Sequence, residues 1–148
     1  MSWGVYSQDE EREDDLGDVT DAFQTNFFEA LKQKGIENYE LALNALDRAQ
    51  NESEGKPEQL AAVYFERGKN LAALKRYDEA LNMQESLLAD YYSTNDEDGF
   101  VSEEIGECLL ALNQPDEAKH HFKEAYRLLK DISWISEERL ERMKQFAD

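Results

Sequence analysis

Apolar and small residues recur along this chain at intervals of three and four, the spacing that aligns them on one face of an α-helix. Leu60, Tyr64, Gly68 and Leu71 form one such stripe, and Leu140, Met143 and Ala147 form another. No stretch alternates as a half-buried strand would, so an all-α chain is expected. The first helix is capped by Thr20 or Asp21 and closes at Gly35, a residue that suits a helix end. The second spans residues 37 to about 50 and runs into a polar breaker, NESEGKP, at residues 51–57. Pro57 fits the first turn of a third helix. Lys75 and Arg76 then make a short turn before a fourth, from residue 77 to about 92. A second polar linker, STNDEDG at residues 93–99, precedes a fifth helix that opens at Phe100. Residues 113–115 form a turn, the sixth helix runs from 116 to about 130, and Ser136 caps a seventh.

The helices are copies. Ala42, Ala80 and Ala118 are 38 residues apart, and so are the small residues Ala30, Gly68 and Gly106 upstream of them. Two marks in phase at one period describe a helical hairpin repeated three times. A lone hairpin cannot cover its own apolar stripe, whereas stacked hairpins bury theirs against neighbours. Glycine inside a helix costs about 1 kcal/mol relative to alanine. Two glycines in register therefore imply helices that approach closely enough to offset the penalty.

These residues resemble the tetratricopeptide repeat family. Tyr64, Gly68, Tyr77 and Ala80 carry the pattern in the middle copy, Ile105, Gly106, Leu109, Ala118, Phe122 and Ala125 in the third, and Ala30, Tyr39, Ala42 and Leu46 in the first. The first copy departs from it at Asn26, Glu29 and Gln33, and the third has Pro115 where the others have tyrosine. The resemblance implies a right-handed α-solenoid of three hairpins, about residues 21–56, 57–98 and 99–131. Residues 132–148 would be a capping helix or the start of a fourth repeat, and Lys144 in the small-residue place favours the cap. The family also implies a concave groove lined by the first helix of each copy. Phe27, Leu31, Phe65, Lys69, Phe100, Glu103 and Glu107 fall on or near it, with Phe27 and Phe65 either facing the groove or inside the core. The lysine and asparagine cluster by which some members hold a terminal carboxylate is missing, since Phe27, Leu31, Glu66 and Glu104 occupy its places. Equivalent positions in adjacent copies hold Glu29 and Arg67, which stacking would bring together as an ion pair.

Charge narrows the partners. With 34 acids against 16 bases the formal charge is −18, and such a surface repels phosphate backbones and anionic headgroups. Nucleic acid and membrane insertion are therefore not expected. Residues 9–21 hold eight acids against Arg12 alone, too polar to offset the entropy of ordering, so residues 1–20 are expected to be a disordered acidic arm. The arm either confers solubility or folds across the groove of its own domain or captures a basic segment. A cytoplasmic location is expected, or an exported or periplasmic one if SWGVYSQ at residues 2–8 is the remnant of a clipped signal.

Groups for catalysis or metal binding are scarce. Cys108 lies in an apolar stripe and reads as a small buried hydrophobe. His120 and His121 are adjacent on one helix and so point about 100° apart, unsuited to sharing a metal. Glu103 and Glu107 share a helix face but read as solvated acids. Residues 94–105 imitate a calcium loop with Asp96, Asp98 and Gly99, yet Ile105 stands where the bidentate glutamate belongs. Asn51, Glu52 and Ser53 match a glycosylation acceptor. Neither catalysis nor a cofactor is expected. A groove of apolar residues flanked by acids predicts a protein or peptide partner with apolar and basic residues. The alternative is a structural module that self-associates through the groove or an open end of the solenoid.

Overall fold

A computed structural model describes residues 20–90 and 95–148, which form seven helices and no strand. They are α1 (Asp21–Gly35), α2 (Tyr39–Asn51), α3 (Pro57–Ala73), α4 (Tyr77–Asp90), α5 (Asn95–Ala111), α6 (Pro115–Leu129) and α7 (Glu137–Phe146). Each packs mainly on its neighbours in sequence, α1 on α2, α2 on α3 and so on to α7, with a further contact between α3 and α5. That nearest-neighbour pattern is an all-α solenoid of stacked hairpins. The expected acidic arm, apart from Thr20, lies outside the described residues, as do the suggested signal remnant and the end expected for the fourth helix.

Local chemistry sets the helix boundaries. The Phe23 N–H donates to the Thr20 side-chain oxygen at 3.0 Å, and the Arg139 N–H does the same to Ser136 at 3.1 Å, so both expected caps form. Pro57 and Pro115 open α3 and α6, where a missing N–H costs nothing. The three hairpin turns are one structure repeated. Glu37, Lys75 and Asn113 take left-handed backbone angles near φ +60°. The next residue donates back across each helix end, Asn38 to Gln33 O at 2.8 Å, Arg76 to Leu71 O at 2.9 Å and Gln114 to Leu109 O at 2.8 Å. This satisfies carbonyls that the helix end leaves open. It also explains why α2 starts at Tyr39 rather than at Glu37, which belongs to the turn.

The small residues act as expected. Ala42, Ala80 and Ala118 are fully buried. A methyl group on Gly106 would lie 2.8 Å from the Phe122 ring, and one on Gly68 would run into the Gln84 amide. One boundary differs from expectation: α5 starts at Asn95, so residues 95–99 are helix rather than linker. Gly99 is buried where an added methyl would meet Leu129 at 2.7 Å, and this contact with α6 extends the helix through a segment whose composition reads as loop. Apolar side chains from all seven helices share the interior, from Phe23 and Phe27, stacked at 5.3 Å, through Leu87 to Met143.

Candidate functional site

Ion pairs link α1 to α3 and α5 to α7. On α1, Lys34 Nζ lies 2.5 Å from Glu66 on α3. One turn further along α3, Lys69 extends over the Phe65 ring at 5.1 Å. From α7, Arg139 donates two hydrogen bonds to the buried Glu103 of α5, at 2.7 and 2.5 Å, and Arg142 donates two to Glu107, at 2.6 and 2.8 Å. The bases and acids thus alternate across a wall made by α1, α3, α5 and α7.

The electrostatics are uneven along this wall. Burial pushes Lys34 down, against the opposing pull of Glu66. Lys69 is raised overall: burial acts to lower it, but Glu66 and Glu104 hold its proton. No carboxylate among the described residues pairs directly with Lys69. Burial raises Glu104 to about 7, with Lys69 opposing and Glu103 and Glu107 adding to the rise. Next to paired acids, then, sit a cation held over an aromatic ring rather than by a carboxylate and a carboxyl group that keeps its proton to near neutrality.

The seven expected groove residues fall into two groups. Phe27, Phe65 and Phe100 are buried, with 0%, 3% and 2% of their surface exposed, so a phenylalanine strip open to solvent does not form. Phe100 stacks on Trp134 at 5.6 Å with the Arg139 guanidinium over both rings. Leu31 and Lys69 are half-buried on the wall. Glu103 and Glu107, expected to receive basic groups of a partner, are already held by Arg139 and Arg142. Those two arginines were missed by the sequence reading. Their only trace is that both lie one turn apart on a helix otherwise read as a cap.

The expected Glu29 to Arg67 pair is not formed. Arg67 instead donates to Asp47 at 2.8 Å and to Gln50 at 2.6 Å on α2, and Glu29 accepts from Gln33 within its own helix. The two do not meet because Arg67 turns toward α2, the second helix of the hairpin before, while Glu66 is the α3 residue that reaches α1. Cys108 is buried, and burial with Glu104 and Glu107 nearby pushes its thiol up to about 12, far from a reactive thiolate. The His120 and His121 rings lie 3.9 Å apart, and burial together with His120 lowers His121 to about 4. Asp96 and Asp98 are in helical α5, which cannot wrap a calcium ion as a loop does. Among the described residues no three histidine, cysteine or acidic side chains converge as a metal site.

The sequence profile of the Tetratricopeptide repeat family matches residues 56–131, just over half of the chain. The chain belongs to the tetratricopeptide repeat family. The match spans α3 to α6, and the first hairpin of this tetratricopeptide repeat protein repeats the same turn geometry at Glu37 and Asn38. Neither curated proteins nor solved structures give a match to the chain. Tetratricopeptide repeats are in general protein–protein interaction modules. Among its described residues no helix is long and apolar enough to cross a membrane.

Proposed function

We propose that this chain is a non-catalytic scaffold of three repeats and a closing helix, which binds an extended or helical peptide along the wall of α1, α3 and α5. The observation that carries the reading is Lys69, a half-buried cation that lies over the Phe65 ring near the protonatable Glu104 and pairs with no carboxylate among the described residues. Glu66, Glu103 and Glu107 are neutralised within the fold, so basic groups on a partner gain little there. The partner that fits has an apolar side chain for Leu31 and an acidic group for Lys69. Phe27, Phe65 and Phe100 form the floor beneath that wall rather than its contact surface.

The test is selection from a random peptide library on the full chain, followed by affinity measurements on Leu31→Glu and Lys69→Gln. Peptides combining apolar and acidic residues are expected to be enriched, and both variants should lose them while keeping wild-type helicity. Selected peptides that bind both variants undiminished overturn the groove reading.

A second reading rests on a different observation. Phe28, Ile36 and Leu41, three of the large exposed hydrophobics, all lie on the first hairpin or its turn. Two copies could cover these patches by end-to-end contact of their first hairpins. Light scattering that gives a monomer mass at micromolar concentration rejects it.

A further inference from the structure

The α5 side of the wall is occupied, and its occupant, α7, shows what chemistry that surface takes. Glu103 and Glu107, one turn apart on α5, receive two arginines one turn apart on α7. Arg139 donates to Glu103 at 2.7 and 2.5 Å, and Arg142 donates to Glu107 at 2.6 and 2.8 Å. The lower-numbered arginine meets the lower-numbered glutamate, so a helix seated here runs parallel to α5. The Arg139 guanidinium also lies 5.7 Å from the centre of the Phe100 ring. A planar fork can face a carboxylate with its edge and a ring with its flat side at once, which an ammonium cannot do.

Packing closes this seat only in part. Of the ten residues of α7, Met143 is the one fully buried, with Phe146 beside it at 5.8 Å from the Phe122 ring. A helix shorter than about 12 residues does not persist by itself in water, so α7 depends on its seat. Between α5 and α7 a cleft of about 790 Å³ stays open, with Glu103, Glu107, Ser136, Arg139, Arg142 and Gln145 on its walls. A second, of about 380 Å³, reaches from Arg142 and Glu107 to Tyr77 and Cys108. The pair of Arg142 with Glu107 therefore bridges unfilled space rather than sealing a packed contact.

We propose that α7 is a displaceable strap, and that the α5 surface beneath it binds in its place a partner helix carrying two arginines one turn apart and an apolar residue for the seat of Met143. This site lies apart from Leu31 and Lys69 and does not rest on the reading given above. Basic groups gain little on α5 while α7 is seated, so a partner binds there by exchange. The tether holds α7 at an effective concentration of roughly millimolar, which a partner has to outbind. The strong negative charge of the protein favours the approach of such a basic helix.

Fluorescence anisotropy of a labelled peptide of residues 132–148 tests the exchange on the full chain, unmodified and with Arg139→Gln and Arg142→Gln together. The variant, whose own strap is loosened, should bind the peptide about tenfold or more tightly than the unmodified chain does. A peptide with lysine in place of both arginines should bind the variant about tenfold or more weakly than the arginine peptide. Equal affinities in either comparison overturn the proposal. The unmodified chain gives a reading that does not depend on how the variant folds. In nuclear magnetic resonance, excess arginine peptide should move the α7 amides toward their unfolded positions and leave those of α1 and α2 in place. Amides of α7 that stay unmoved at saturation overturn the proposal. So does a doubled mass in light scattering that the variant loses, since it places α7 on a second copy instead of freeing its seat for a partner.

Discussion

Single residues in this fold answer for close approach and for buried charge. Gly106 faces the Phe122 ring, a flat and rigid neighbour that an added methyl would meet at 2.8 Å. Gly68 faces the amide end of the flexible Gln84 side chain, which can shift at the cost of its 3.3 Å hydrogen bond to the Phe65 carbonyl. Alanine gains about 1 kcal/mol in helix propensity at either place, while overpacking a rigid contact costs about 1–3 kcal/mol. Gly106→Ala should therefore destabilise in urea unfolding, and clearly more than Gly68→Ala; equal losses would contradict the close-approach account. Glu104 makes a second case. Its carboxyl titrates near 7 in the folded chain against an ordinary 4.5, chiefly because burial disfavours the charge. A raised acid stabilises the fold relative to its ionised state below pH 4.5, and that contribution drains away as pH rises through 7. Glu104→Gln, which stays neutral, should match the parent near pH 4.5 and exceed it by about 1–3 kcal/mol at pH 8. Thermal unfolding of both proteins across that range checks the sign.

At the level of elements, α7 is fastened to α5 by two pairs of different quality. Glu103 is buried and takes both bonds of Arg139, whereas Glu107 and Arg142 are partly exposed to water. Removing Arg139 leaves a buried carboxylate without its donor, at a cost of about 1.5–3 kcal/mol. Removing Arg142 should cost about 0–1 kcal/mol, since solvent screens the pair. A double-mutant cycle of Arg139→Met with Glu103→Gln, set beside Arg142→Met with Glu107→Gln, measures the contrast. Near-equal coupling energies would show that burial does not separate the two. The α5 start carries a related lesson: residues 95–99 have loop composition, yet packing of Gly99 against Leu129 keeps them helical. Local preference was overridden there by a tertiary contact, as happens wherever propensity is weak.

Over the whole molecule, one continuous apolar interior is assembled from contacts between successive helices. Among the described residues, the α3–α4 hairpin packs on a hairpin at each side, while the α1–α2 hairpin packs on one. Amide hydrogen exchange should accordingly be slowest in α3 and fastest in α1 and α7, and uniform protection would argue for a single cooperative unit instead. The sequence by itself determined the helices, the 38-residue period, the small residues at close approaches and the family, because helical spacing and repetition are properties of order along a chain. It did not show the left-handed turn residues, since Glu37 and Lys75 lack the glycine that usually marks such a place. Nor did it show that Phe27 and Phe65 are buried or that Arg139 and Arg142 claim Glu103 and Glu107. Those facts depend on which faces meet when hairpins stack, and ion pairs between helices 35 and 36 residues apart leave no periodic trace to read. Only the tertiary structure decided that Glu66, Glu103 and Glu107 are already matched within the fold.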